Sequence, residues 1–241
     1  MGRNLAVGDI HGGYKGLIQA LERANFDIEK DNLITMGDLG DGWSQTFEVI
    51  EYLKTVKNLT KLLGNHDEWL IKYLKYKEEN LLLPNYRMWL LNGGYSSIDS
   101  YKGKEEYIDD HIDFLKTSKL YHILDNKLFV HAGYPLNFEI ENLDSYPLIW
   151  DRTFWQYVCK GKIKSEDIKY EKVFIGHTPI SYNKKKGFYY HEVPSKKLDK
   201  VINIDTGAAF RGVITVYDID SGEYYQSDKL KDIYYNEKGR N

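Results

Sequence analysis

Cysteine is almost missing from this 241-residue chain, which has Cys159 alone. That excludes a disulfide framework within the chain and any thiolate-held metal cluster, and it fits a reducing compartment. Cys159 itself reads as a small apolar residue in a helix. No apolar run approaches the length needed to span a bilayer, and the first residues lack a basic start followed by a long apolar region. Basic charge is not in excess either, since 33 Lys and Arg stand against 36 Asp and Glu for a net charge of −3. Nothing in that balance draws the chain to duplex nucleic acid or to an anionic membrane. Low-complexity tracts, internal repeats and interdomain linkers are also wanting. The expectation is a soluble, cytoplasmic protein, folded as one domain over residues 1–241. Aromatic residues are what it holds in quantity, at 15% with 21 Tyr; many such rings pack while their hydroxyls stay wet.

The organising stretch is Gly8-Asp9-Ile10-His11-Gly12, directly after the apolar run Leu5-Ala6-Val7. An apolar run that stops at a Gly-flanked Asp-x-His reads as a buried strand handing two metal-competent side chains to a tight turn. Open α/β sheets build their sites at such strand ends. The device recurs. Leu33-Ile34-Thr35-Met36 ends in Gly37-Asp38-Leu39-Gly40-Asp41-Gly42, and a third strand near Leu59–Leu63 stops at Gly64-Asn65-His66-Asp67. Helical periodicity lies between them, at Leu17, Ile18, Leu21 and Ala24, then at Phe47, Ile50 and Leu53. Asp9, Asp38 and Asn65 are 29 and 27 residues apart, close to the roughly 30 residues of a β-α-β unit. Successive right-handed crossovers put all three turns on one sheet edge.

Residues from about 69 to 118 read as mostly helical, too short and polar for a separate domain, and are expected to form a cap-like insertion that shapes substrate access. His111, amid acidic residues on its last helix, is expected to be a solvated surface residue, and His122 a packed or surface one. A hairpin turning at Asp125-Asn126 delivers His131-Ala132-Gly133. Val173-Phe174-Ile175 is a further strand, ending at Gly176-His177-Thr178. The rest is β-rich, with turns at Asp205-Thr206-Gly207 and Asp220-Ser221-Gly222. The lysines at 184–186 and 196–197 read as a solvated face.

Asp9, His11, Asp38, Asn65, His131 and His177 thus gather at strand ends. Carboxylates, imidazoles and an amide without thiolate suit divalent Mn, Fe or Zn, with Mn preferred. Six donors are too many for one catalytic ion with an open position and about right for two ions sharing a carboxylate, for which Asp38 is the central candidate. A pair of ions holding a hydroxide and clamping phosphoryl oxygens points to hydrolysis of a phosphate ester.

These ordered blocks, from Gly8-Asp-Ile-His-Gly12 to Gly176-His-Thr178, resemble those of the calcineurin-like metallophosphoesterases, with particular similarity to the bacterial and phage phosphoprotein (serine/threonine) phosphatases. The resemblance implies an α/β fold, a four-layer α/β/β/α sandwich of two mixed β-sheets with flanking helices. It implies that Asp9, His11 and His177 contact one metal, that Asp38 bridges, and that Asn65 and His131 contact the other. It also implies a His66–Asp41 pair, with His66 as general acid to the leaving oxygen. Asp67 reads as serving the N-terminus of the following helix.

Two features depart from the protein-phosphatase pattern. Gly42-Trp43 stands where Arg-Gly is usual, so a phosphate-gripping arginine is missing there. Gly-Asn-His-Asp replaces the common Glu form and occurs in other branches, dinucleoside polyphosphate hydrolases included. Arg152, in Ile149-Trp-Asp-Arg152, resembles a phosphate-contacting block, and its planar fork suits phosphate oxygens; Asn65 is a second phosphate contact and Arg211 a weaker candidate. The leading expectation is a phosphomonoesterase acting on phosphoproteins or small phosphoesters. The alternatives are a phosphodiesterase or dinucleoside polyphosphate hydrolase with a nucleotide substrate, and a non-catalytic module that binds phosphate ligands.

Overall fold

The computed structural model describes residues 2–75, 83, 85–180, 182–183, 188–189 and 195–240. The lysines at 184–186, and residues 76–82 and 84 of the stretch expected to be mostly helical, lie outside these residues. The chain opens with β1 (Asn4–Val7), α1 (Tyr14–Arg23), β2 (Asn32–Thr35), α2 (Thr46–Thr55) and β3 (Asn58–Lys61). Four helices follow, α3 (Asn65–Tyr73), α4 (Tyr86–Trp89), α5 (Tyr95–Ser100) and α6 (Ile108–Lys116). Then come β4 (Tyr121–Leu124), β5 (Lys127–Val130), α7 (Ser145–Ile149), α8 (Thr153–Cys159) and β6 (Lys172–Ile175). The last elements are β7 (Tyr182–Asn183), β8 (Phe188–Tyr189), β9 (Ser195–Leu198), β10 (Val201–Asn203), β11 (Thr215–Asp218), β12 (Tyr224–Gln226) and α9 (Leu230–Ile233).

Ten of the described strands form two mixed five-stranded sheets, ordered β12-β11-β1-β2-β3 and β4-β5-β6-β10-β9, while β7 and β8 pair antiparallel with each other. Parallel pairing runs β1-β2-β3 in the first and β5-β6-β10 in the second. Strand periodicity decides which face each residue covers. Leu5 and Val7 of β1 join the apolar cluster under the helices, while Ala6 between them faces the other sheet. Val173 and Ile175 of β6 pack beneath α7 and α8, while Phe174 turns inward. There Phe174 stacks on Phe129 of β5 with centroids 4.7 Å apart, a contact worth about 0.5–1.5 kcal/mol beyond its area. Three apolar seams therefore separate four layers, α/β/β/α.

Helices α3 to α6 share one apolar cluster with α1, α2 and the outer face of the first sheet, through residues such as Trp69, Trp89, Tyr101 and Ile112. His111 corrects the sequence expectation, because it is fully buried. Asp109 and Asp110 turn outward, but His111 falls on the face of α6 that carries Ile108, Ile112 and Leu115. Its ring bonds the Tyr101 hydroxyl and Glu51 Oε1, each at 2.8 Å, and stacks on Phe47. Burial lowers its pKa, with the Glu51 bond opposing. Half-buried His122 lies against Phe129. Cys159 ends α8 as an exposed residue, since Phe154, Trp155 and Val158 take the buried face. No helix of the described residues is long and apolar enough to cross a membrane.

Candidate metal centre and active site

The turns after β1, β2 and β3 and those after β5 and β6 converge at one edge of the sandwich. Four polar residues on them adopt left-handed backbone: His11 (φ 51°), Asp38 (φ 54°), Asp41 (φ 68°) and His177 (φ 63°). For non-glycine residues such a conformation costs about 1–3 kcal/mol and persists only where the surroundings hold it. Hydrogen bonds between turns do the holding. Ile10 and His11 N–H both donate to Asp38 O, at 3.1 and 2.9 Å. Asp67 accepts from Gly64 N–H at 3.0 Å and from Asp38 and Leu39 N–H at 2.8 Å each. It therefore caps α3, as its sequence position implied, and also ties the second turn to the third. Burial, reinforced by Asp38, pushes its carboxyl up to about 7.

Potential ligand atoms fall into two buried trios that share a carboxylate, Asp9 with His11 and Asp38, and Asp38 with His131 and His177. His11 Nδ1–H donates to Asp41 O at 2.8 Å, which leaves Nε2 facing Asp38 Oδ2 at 3.6 Å and Asp9 Oδ2 at 3.8 Å. His131 Nδ1–H donates to Met36 O at 2.7 Å, leaving Nε2 at 3.3 Å from both Asp38 Oδ1 and Asn65 Oδ1. Carbonyl partners of this kind fix the tautomer and aim the other nitrogen at an ion. His177 bonds Trp150 O through Nε2 at 3.1 Å, and its buried Nδ1 has no hydrogen-bond partner. This grouping differs from the expectation that His177 sits with Asp9 and His11. Strands β5 and β6 are neighbours, so His131 and His177 emerge side by side with ring centroids 5.0 Å apart.

The electrostatics show what such a cluster needs. Burial, then Asp205, raises the Asp9 carboxyl well above the usual range. Burial opposes ionisation of Asp38 too, but His131 and His66 outweigh it and hold the group well below that range. Burial would lower His131, yet Asp38 lifts it to about 9, whereas burial drives His11 down to about 3. Crowded carboxylates, imidazoles poised to offer a lone pair and an unpartnered buried nitrogen together fit divalent cations with N and O preference.

Beside the trios, His66 Nδ1–H donates to Asp41 Oδ2 at 2.9 Å. Asp41 also accepts from Trp89 Nε1–H and Ser97 Oγ–H, both at 2.7 Å. Burial pushes Asp41 up to about 7, the Ser97 and Trp89 bonds pulling the other way, and burial with Arg240 pushes His66 down to about 3. Arg152 precedes α8 and is exposed; its Nη1 donates to His177 O and Thr178 Oγ1 at 2.8 Å. Two clefts open on the site. One of about 690 Å³ is lined by Asn65, His66, Trp69, Trp150, Arg152 and Arg240 among others. The other, about 330 Å³, includes His11, Arg152, His177, Asp205 and Arg240. Arg211 is exposed and lines neither.

Sequence reasoning passed over four of these residues. Asp205 is buried at the turn after β10, and a signal akin to that of Asp9 stood there, a mostly apolar run ending in an Asp-Thr-Gly turn. Burial raises it to about 6. Trp89, Ser97 and Arg240 carry no local signal, because tertiary packing alone brings them to Asp41 and the clefts.

A family profile for Calcineurin-like phosphoesterase matches residues 3–212, and the chain belongs to that family. It is a metal-dependent phosphoric ester hydrolase. Serine/threonine-protein phosphatase 1 of Salmonella typhimurium is 26% identical over 223 residues, covering 87% of this chain and 88% of the relative. The symmetrical bis(5'-nucleosyl)-tetraphosphatase of Pseudomonas putida is 26% identical over 285 residues, covering 94% and 93%. Among solved structures, a metallophosphoesterase from Sphaerobacter thermophilus superposes with TM-score 0.57 at 14% identity over 94% of this chain and 87% of the other. A protein serine/threonine phosphatase from Saccharomyces cerevisiae gives 0.58 at 14% identity over 94% and 80%. At such identities the likeness is one of fold.

Proposed function

We propose that the chain is a dinuclear phosphomonoesterase whose substrate class is phosphoserine or phosphothreonine in proteins. The observation that carries this is the His66–Asp41 pair, 2.9 Å apart beside two donor trios that share Asp38. Asp9, His11 and Asp38 would hold one ion, and Asp38, His131, His177 and Asn65 the other; the donor set accommodates Mn, Fe or Zn, and Mn is the metal proposed. Two bound ions supply Lewis acidity toward the phosphoryl oxygens and a water of lowered pKa. Arg152, fixed through Nη1 on the 177–178 turn, and Asn65 bind the phosphate. His66 points Nε2 at the departing oxygen and would give it a proton from the imidazolium form, which burial disfavours and the hydrogen bond to Asp41 supports. Met88 and Asn92, from the helical segment after β3, line the larger cleft and shape its access. The exposed Cys159 thiol suits a reducing cytoplasm.

A dinucleoside polyphosphate is the second reading. It is favoured by the aromatic wall of the larger cleft, where Trp69 and Trp150 meet edge to face at 4.8 Å and Tyr146 stands by, a surface on which a nucleobase stacks. The two readings separate by experiment. After chelation and reloading, the protein is expected to hold two Mn per chain by elemental analysis and to cleave a phosphoseryl peptide faster than diadenosine tetraphosphate. The reverse order of rates moves the assignment to the nucleotide. Binding of both without turnover makes the chain a phosphate-binding module.

A further inference from the structure

The arginine missing at position 42 has a structural counterpart elsewhere in the chain. Gly42 adopts φ +149°, and a Cβ there would lie 3.0 Å from His11 O and 3.1 Å from His11 Cβ. That turn cannot send a side chain toward the phosphate without moving a metal-ligand candidate. The next two residues instead anchor the segment 234–240. Trp43 stacks on Tyr234 at 5.0 Å, and Ser44 N–H and Oγ–H donate to Glu237 at 3.0 and 2.7 Å. Gly239 then passes so near Trp43 and the 209–210 backbone that a Cβ would meet them at 2.8 to 3.0 Å, at φ +63°. Arg240 N–H donates to Ala209 O at 2.8 Å. The segment is thus stapled at three points, and its staples end at one guanidinium.

We propose that Arg240 is a phosphate-binding residue, delivered from this segment to compensate for the glycine at 42. Its Nη2 donates to Asn92 Oδ1 at 3.0 Å, and its Cζ lies 5.2 Å over the Phe210 ring. Both contacts orient the fork without neutralising it. Among the described residues no carboxylate lies within ion-pair distance of it, although Arg240 is partly buried. A partly buried guanidinium whose only side-chain hydrogen-bond partner among the described residues is a neutral amide retains donors and charge for an anion. Arg240 and Arg152 line both clefts together, with His66 in one and His11 in the other. The anion they share is the phosphoryl group, whether on a substrate or as free phosphate.

This assignment rests on the phosphatase reading, so its test includes equilibrium binding. With the Mn-loaded protein, calorimetric titration of inorganic phosphate and steady-state rates on p-nitrophenyl phosphate are compared for wild type, R240Q and R240K. Expected is a phosphate Kd and a KM that rise roughly 10- to 100-fold in R240Q, the range of a lost hydrogen bond to a charged group. R240K should recover part of the loss, and metal content and melting temperature should stay at wild-type values. Unchanged phosphate affinity in R240Q overturns the proposal. Should R240Q melt early or shed metal, R240K decides alone, since it keeps the charge but loses the fork, and wild-type affinity there overturns it equally. Wild-type protein that binds phosphate in an Arg240-dependent way without turnover would refute the phosphatase reading and leave this assignment standing. Wild type that binds no phosphate refutes the assignment.

Discussion

Gly42 shows how one backbone angle limits chemistry. Its φ of +149° and the 3.0 Å approach of His11 O leave no unstrained place for a side chain. Gly42→Arg is therefore expected to cost about 1–3 kcal/mol of stability, to displace His11 and to weaken metal retention. Thermal melting and elemental analysis of the variant check this. A stable G42R protein with full metal content and higher phosphatase rates would contradict the account of that turn. Other residues of the site were legible from sequence for the same local reason. Asp9, His11, Asp38, Asn65, His131 and His177 each follow a short apolar run and sit beside glycine or another turn residue, and the structure brings all six together. His111 was misread because its acidic neighbours in sequence are not its neighbours in space.

At the scale of the element, the segment from α4 to α5 does more than cover the core. Trp89 and Ser97 supply two of the three side-chain donors on Asp41, the third being His66, and Ser96 Oγ accepts from Gly42 N–H at 2.9 Å. The pair proposed to handle the proton is therefore positioned by helices that carry no donor of either trio. Trp89→Phe keeps the ring and removes one N–H from a buried carboxylate, a change of about 1.5–3 kcal/mol where the acceptor is charged. Turnover should fall roughly tenfold or more, and the acidic or basic limb of its pH profile should shift, while metal content holds. A Trp89→Phe enzyme with an unaltered pH profile would show that Asp41 does not need the indole. None of this was readable from sequence, since Trp89 precedes Asn92-Gly93-Gly94 in what looks like an ordinary amphipathic stretch. Helices and strands with period 3.6 or 2 announce themselves; a contact between residues 41 and 89 does not.

Over the whole molecule, three apolar seams hold two sheets so that five turns from different strands meet at one edge. The first sheet's β-α-β order was legible because each crossover is local. The second sheet was not, because β6 and β10 pair across more than twenty residues of sequence, nor was the first sheet's other edge, where β11 returns to β1 from late in the chain; the two-sheet sandwich came from the resemblance of the turn blocks to a family. The central claim is that this meeting of turns is a phosphomonoesterase site with His66 as its acid. The most direct measurement is the Mn-dependent rate on p-nitrophenyl phosphate against bis-p-nitrophenyl phosphate, for wild type and His66→Ala in one assay. The account predicts a marked monoester preference in the wild type and a fall of roughly 10²- to 10⁴-fold in the variant, with both proteins carrying the same metal. A diester preference, or a variant that keeps its rate, would contradict it.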